Sequence, residues 1–184
     1  MPVTIFRAAG TAAVLTVALV AAIALSAAPA LAQGCAGAGS QKLSKGQANR
    51  AVFCLVNVER AKHGLAPLRH NGRLARIARV HAKDIVRFQF IGHDSPAHGS
   101  LLQRVKRSGY GGRNRRLAFG EILGAGRGRY STPRFIVREW MKRQIHRKAI
   151  LYPSFRAMGV GAALGMPSRN VKNKGRSFVI TFGS

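Results

Sequence analysis

Apolar residues recur at helical spacing in two long stretches of the chain, and this pattern predicts two amphipathic helices. The stretches cover residues 47–62 and 72–88. A shorter helix is expected over residues 101–108, because Ser100 can cap its first turn and Gly109 can end it. This part of the chain is therefore predicted to be mainly helical.

A glycine-rich segment and one further helix are predicted in the middle of the chain. Residues 111–129 contain many glycines around a short apolar core at 117–123, so a loop is predicted there. The helix that follows is expected to start at Thr132, which suits an N-cap, with Pro133 at its first position. Its apolar spacing continues to about residue 143.

Two strands are predicted near the end of the chain. Residues 156–164 and 177–183 alternate or run apolar and favour β-structure. The polar segment 167–176, which contains Pro, Asn, Lys and Gly, is expected to join them as a hairpin loop. Early helices followed by late strands indicate an α+β domain.

Residues 1–32 have the composition of a secretory signal peptide. Arg7 is the only charged residue among them, an apolar run follows it, and Ala30–Ala32 supplies an A-x-A cleavage site. Cleavage there predicts a secreted or periplasmic protein. A retained membrane anchor is the alternative, because the apolar run is nearly long enough to span a bilayer. A lipid anchor at Cys35 fits less well, since Gln33 suits the preceding positions poorly.

An N-terminal arm over residues 33–46 and a single domain over 47–184 are expected after the leader. The chain has 31 Lys and Arg against 5 Asp and Glu, and its formal net charge is +26. Hydrophobic residues make up 47% of it, which excludes a disordered basic tail. This charge implies attraction to an anionic envelope polymer, lipid head groups or another extracellular polyanion such as DNA.

The arginines are dispersed, and their densest cluster carries no sequence-specific nucleic-acid motif. The cluster consists of Arg113, Arg115, Arg116, Arg127 and Arg129. A solvated basic surface without any ligand is the alternative explanation of the charge.

Cys35 and Cys54 are the two cysteines of the chain. An exported protein can keep disulfides, and these two are the one pair available. A bond between them would fix the arm to the first helix. A reactive thiol or a metal ligand is the alternative role for either residue.

Short segments along the chain carry polar, aromatic and glycine residues in a characteristic order. They are CLVNVERAKHGLAPL at 54–68, LARIARVHAKD at 74–84, FIGHDSP at 90–96, GY at 109–110, FGE at 119–121, VREWMKRQIHRKAIL at 137–151, MGVG at 158–161 and TFG at 181–183. As an ordered set they resemble the CAP superfamily of cysteine-rich secretory proteins, insect allergens and plant pathogenesis-related proteins, in its bacterial secreted form.

The resemblance implies a three-layer α–β–α sandwich with a central antiparallel sheet. It also implies a surface cleft where His93, Glu121 and His146 converge, and in the family such residues can hold a divalent metal, zinc or magnesium. Two imidazoles and one carboxylate are a common ligand set for zinc. Two departures weaken this expectation: Ile122 stands where the family has Asn, and Arg143 brings a cation that would repel a metal.

Two functions remain open at this stage. The first is a secreted, non-catalytic binding module for an anionic polymer or a lipid. The second is a metal-assisted hydrolase, with His93 and His146 as ligands and Glu121 as a ligand or general base. His81 lies on the apolar face of its helix and is expected to be a hydrogen-bonded core histidine.

Overall fold

The computed structural model describes residues 34–112, 117–168 and 175–184. Within these ranges the chain forms five α-helices, one 3₁₀ turn and four strands. They are α1 Lys45–Lys62, β1 Arg69–His70, α2 Gly72–Phe88, α3 Leu101–Ser108, β2 Phe119–Arg127, the 3₁₀ turn Gly128–Ser131, α4 Pro133–Lys142, α5 Gln144–Ile150, β3 Ala157–Leu164 and β4 Gly175–Gly183.

The expected signal peptide and the arginines at 113, 115 and 116 lie outside the described residues. Within the described ranges, none of the helices combines the length and the apolar character needed to cross a bilayer.

The four strands form one sheet in the order β1-β3-β4-β2. Strand β4 lies in the centre and pairs antiparallel with both β3 and β2, whereas the two-residue β1 adds a parallel edge to β3. Glu121 of β2 is opposite Thr181 of β4, which is itself opposite Gly159 of β3. Because paired residues project to the same side of a sheet, Glu121 and Thr181 share one face.

Helices cover both faces of the sheet, so the predicted three-layer α–β–α sandwich is confirmed. Phe178, Ile180 and Phe182 of β4 pack into the larger core with apolar residues of α1, α4 and α5. Val179 points the other way and packs against α2, next to Ala78. Burial on both faces explains why β4 is almost continuously apolar.

Helix α2 lies unusually close to the sheet because two glycines of β3 leave room for its backbone. A Cβ atom added at Gly159 would lie 1.9 Å from the backbone nitrogen of Ala75, and one at Gly161 would lie 2.3 Å from the carbonyl carbon of Ala78. No larger residue fits at either position without moving the helix. The spacing of α2 from the sheet is therefore set by main-chain atoms.

The predicted helices are confirmed, and side-chain caps explain where they begin. Ser44 and Gln47 form a capping box at the start of α1, and Ser100 forms another at the start of α3. The hydroxyl of Thr132 accepts a hydrogen bond from the amide of Phe135 at 3.3 Å in α4. These caps depend on a few adjacent residues, which makes them visible in the sequence.

The prediction of a loop over residues 111–129 is wrong for much of its length, because β2 covers Phe119–Arg127 and pairs with β4 throughout. Its glycines suggested a loop, yet they serve close packing. A Cβ atom at Gly124 would lie 2.9 Å from Nε1 of Trp140, and the indole donates a hydrogen bond to the carbonyl of Leu123 at 2.8 Å.

The helix predicted to end near residue 143 is followed directly by another one. Helix α4 ends at Lys142, and α5 begins at Gln144, so His146 lies within a second helix. The predicted strands and the hairpin between them are confirmed in β3 and β4, although residues 169–174 of the connection lie outside the described ranges.

The predicted disulfide is present, with a Cα–Cα distance of 5.7 Å between Cys35 and Cys54. It ties the arm to α1, and backbone contacts hold the rest of the arm. The amide of Arg134 donates to the carbonyl of Ala38 at 2.8 Å. The buried guanidinium of Arg176 donates to the carbonyl of Leu43 at 2.7 Å. The arm is thus a packed part of the domain, placed against the start of α4.

Candidate functional site

The cleft is built around the carboxylate of Glu121, whose side chain is 0% exposed on the α2 side of the sheet. Both of its oxygens accept hydrogen bonds from Nη2 of Arg104, at 2.9 Å and 2.8 Å. The Arg104 side chain comes from α3, is 3% exposed, and also donates from Nη1 to the carbonyl of His93 at 2.8 Å. A buried charge is tolerated only when it is paired and hydrogen-bonded, and this pair meets that condition.

His93 occupies the open side of the same carboxylate. Its Nδ1 lies 3.0 Å from Oε1 of Glu121, and its side chain is 60% exposed. The hydrogen bond to Glu121 is the main cause that raises the pKa of His93 above its ordinary value of 6.5, against an opposing contribution from burial. The outer part of the imidazole is therefore available to a ligand from solvent.

His81 lies on the buried side of the cleft. The structure confirms the prediction that it is a hydrogen-bonded core histidine. It is fully buried, and its Nε2 donates to the carbonyl of Gly92 at 2.9 Å. Burial lowers the pKa of His81 from 6.5, which favours the neutral ring. The hydrogen bond fixes the loop that carries His93 to helix α2.

His146 approaches the cleft from α5 with a buried Nδ1 that has no hydrogen-bond partner among the described residues. Burial, then the charge of Arg143, then that of His93, lower the pKa of His146 from 6.5. His93 thus contacts Glu121 directly, while His146 lies close enough to His93 for their charges to interact. Arg143 sits beside this histidine, as the sequence suggested, and opposes any added positive charge.

The residues present do not form a fitting site for a divalent metal. In the part of the chain that the structure describes, no group of three or more His, Cys, Asp or Glu is arranged to hold a metal ion. The physical reason is that Arg104 already donates to both oxygens of Glu121 and places a buried positive charge against the carboxylate that would ligate the metal. The zinc or magnesium that the resemblance implies at His93, Glu121 and His146 is therefore put to the test by titration, and no saturable binding is expected.

Comparison with known proteins assigns the domain to a family. The CAP family, described as the cysteine-rich secretory protein family, matches residues 53–181. The chain belongs to this family. It is 35% identical over 112 residues to the uncharacterized protein YkwD of Bacillus subtilis (strain 168), and 28% identical over 114 residues to the uncharacterized membrane protein YlbC of that organism. These matches cover 61% of this chain in both cases, but only 41% of YkwD and 30% of YlbC.

Solved structures confirm the CAP fold. An extracellular SCP-domain protein from Bacillus anthracis str. Ames aligns with a TM-score of 0.61 and 27% identity, over 75% of this chain and 40% of that one. An outer surface protein from Borrelia burgdorferi aligns with a TM-score of 0.57 and 18% identity, over 72% and 89%. The chain spans about two fifths of the length of the Bacillus anthracis protein.

One expected departure from the CAP motifs has a different meaning in the structure. Ile122 was expected to replace a polar neighbour in the cleft. It points to the opposite side of β2 from Glu121 and packs in the larger core, 1% exposed. Successive residues of a strand alternate between faces, so Ile122 cannot reach the cleft.

Two groups of site residues escaped the sequence interpretation. Arg104 looked like one more basic residue of a surface helix, and only its partner Glu121 explains its burial. Asp84 accepts hydrogen bonds from Ser95 Oγ and from His98 Nδ1, both at 2.6 Å. Ser95 and His98 share one carboxylate oxygen, so Asp84 holds the loop together and does not form the relay of a catalytic triad.

Other CAP motif residues stabilise the fold through hydrogen bonds to the backbone. Asn57 of α1 brackets the backbone of Leu68, accepting from its amide at 2.9 Å and donating to its carbonyl at 3.1 Å. Buried Arg60 donates to the carbonyls of Ala66 and Ile150 at 2.9 Å and 2.8 Å. The first motif therefore fixes loops and the end of α5, and it contributes no group to the cleft.

Proposed function

We propose that this CAP domain is an extracellular or envelope binding module without catalytic turnover, and that its ligand is an anionic polymer or an anionic lipid surface. The observation that carries the proposal is the imbalance of charge, because the chain has 31 Lys and Arg and only 5 Asp and Glu. A protein with such an excess attracts polyanions over a distance and concentrates them at its surface.

Four of the five acids, Glu59, Asp84, Glu121 and Glu139, are engaged locally, so they do little to offset the basic surface. Glu59 pairs with Lys62 at 2.8 Å, and Glu139 pairs with Lys142 at 2.9 Å. Glu121 is taken up inside the domain by Arg104. Most lysines and arginines in the described ranges are exposed to solvent and its counterions, which a polyanion displaces on binding.

The cleft supports a binding role more than a hydrolytic one. A general base or metal ligand needs a free carboxylate, but Glu121 is paired through both oxygens with Arg104. Extracellular placement is supported by the predicted signal peptide and by the descriptions of two structural relatives as extracellular and outer surface proteins.

The salt dependence of binding tests the proposal. Purified protein is titrated with an anionic polymer, with vesicles containing anionic lipid and with vesicles of neutral phosphatidylcholine. Affinity for the first two should fall at least about tenfold between roughly 50 and 200 mM salt, as expected when several cations release counterions. The proposal would be contradicted if the protein bound neither the anionic polymer nor the anionic vesicles. Binding to neutral vesicles that equals binding to the anionic probes and does not change with salt would also contradict it.

A further inference from the structure

A surface groove of about 430 Å³ runs between the N-terminal arm and the start of α4, and none of the cleft residues lines it. Its lining includes Gly39, Arg129, Tyr130, Arg134, Phe135 and Arg138. Three guanidinium groups and two aromatic rings thus meet in one depression, and none of its lining residues is an acid.

Two of the three guanidinium groups are held in place by the rings. The Cζ atom of Arg129 lies 5.0 Å from the ring centre of Tyr130, and its Nη2 donates to the Tyr130 hydroxyl at 2.9 Å. The Cζ atom of Arg138 lies 5.1 Å from the ring centre of Phe135. Stacking on a ring leaves the in-plane N–H groups of a guanidinium free to bind oxygen atoms.

The groove has a surplus of positive charge that the protein itself neutralises only in part. Arg134 and Arg138 are four positions apart on α4, where like charges face each other and destabilise a helix. The neighbouring acid Glu139 is 3.6 Å from Nε of Arg138 but accepts a closer contact, 2.9 Å, from Lys142. An anion bound between the arginines would remove this repulsion.

We propose that this groove binds successive phosphate groups of a non-aromatic phosphate polymer, a chain of polyol or sugar units joined by phosphodiesters. The inference rests on the proposed function and names the class of polymer and its place of binding. Arginine forks match phosphate oxygens in a bidentate manner, and three cations in one groove suit a ligand with repeated charges.

The rings explain why a nucleic acid is the less suitable polymer. Single-stranded nucleic acids bind by stacking their bases on aromatic side chains. Here a guanidinium covers a face of each ring, and Tyr130 and Phe135 meet edge to face with centroids 4.8 Å apart. The rings therefore orient the arginines, and a base could stack only on the face of Tyr130 or Phe135 that the guanidinium leaves open.

The test compares two triple variants that remove the same charge. The groove variant is Arg129→Gln, Arg134→Gln, Arg138→Gln. The control variant is Arg76→Gln, Arg79→Gln, Lys83→Gln, which removes three exposed cations from the outer face of α2, away from the groove. Both are titrated with a ten-unit glycerol phosphate chain and with a thymidine oligonucleotide carrying the same number of phosphates, after thermal melting has checked that each is folded.

The groove variant should bind the glycerol phosphate chain at least about tenfold more weakly, and its slope of log affinity against log salt should fall by about two. The control variant should lose much less than the groove variant. Equal losses in the two variants would overturn the groove while leaving the proposed function intact. Tighter binding of the oligonucleotide than of the glycerol phosphate chain would overturn the choice of polymer. No binding of either polymer by the unmodified protein would overturn the groove proposal and leave the proposed function dependent on the anionic vesicles alone.

Discussion

Arg104 holds both carboxylate oxygens of Glu121 at 2.8–2.9 Å in the interior of the domain. This pair turns the acid at the centre of the cleft from an available ligand into a structural anchor for α3 and for the loop that carries His93. A metal or a substrate proton would have to displace a buried guanidinium before it reached the acid.

Replacing Arg104 alone should strongly destabilise the protein. Arg104→Met leaves the buried Glu121 charge without its partner, which costs about 3–5 kcal/mol in comparable pairs. The double variant Arg104→Met/Glu121→Leu removes both charges and should recover most of that loss. Urea unfolding of the three proteins measures the difference. A single variant as stable as the double one would show that the pair is not needed for folding.

The two cleft histidines should titrate on opposite sides of their ordinary pKa of 6.5. Proton NMR should place the pKa of His93 above this value, because it bonds to Glu121, and that of His146 below it, because of burial and Arg143. Arg143→Gln should raise the pKa of His146 by removing a like charge, whereas Lys148→Gln, on the helix that carries His146, serves as the control. An unchanged pKa in Arg143→Gln would contradict the assigned cause.

These shifts also set the sign of the pH dependence of stability. The raised pKa of His93 means that its contribution is fully present below pH 6.5 and is lost as the pH rises through its folded-state pKa. The lowered pKa of His146 means that its contribution is present above 6.5 and is lost as the pH falls through its folded-state pKa. Acidification from pH 7 should therefore destabilise His146→Gln less than the unmodified protein in urea unfolding at each pH.

Metal binding at the cleft is expected to be absent. Calorimetric titration with zinc and with magnesium should give no saturable heat for the unmodified protein, because Arg104 occupies Glu121. The His93→Ala/His146→Ala double variant is the control and should behave identically. Saturable binding at micromolar affinity that disappears in this variant would place a metal in the cleft and restore the hydrolase hypothesis.

Loss of the disulfide should weaken both the fold and the groove. Cys35→Ser/Cys54→Ser opens a link between positions 19 residues apart, which is worth about 3 kcal/mol in the chain-entropy model. It also removes one of the attachments of the arm, whose Gly39 lines the groove. We expect a lower melting temperature and weaker binding of the glycerol phosphate chain. A variant with lower stability but unchanged affinity would show that the arm does not shape the groove.

Local signals in the sequence were sufficient for much of the fold. Caps such as Ser100 and Thr132 act within three residues, so the helix starts could be predicted. Strand β2 could not, because its glycines at 124 and 126 suggest a loop until Trp140 and the 3₁₀ turn are seen to fill the space. In β2, packing against residues distant in sequence outweighs the local preference of its glycines for a loop.

The candidate site was predictable only through the family resemblance. His93 and Glu121 are 28 positions apart, and nothing in that spacing indicates their contact at 3.0 Å. Arg104 carried no signal at all, because its sequence context, with Lys106 and Arg107 close by, is that of a solvated helix. Whether an arginine faces solvent or a buried acid is decided by the tertiary fold, where Glu121 is its partner.

The close approach of α2 to Gly159 and Gly161 gives the domain a scaffold that is independent of its cleft. Since backbone atoms set that spacing, exchange of the two cleft histidines should leave the frame unchanged. An engineer could therefore replace His93 and His146, keep the Arg104–Glu121 pair, and install a different chemistry on the same scaffold.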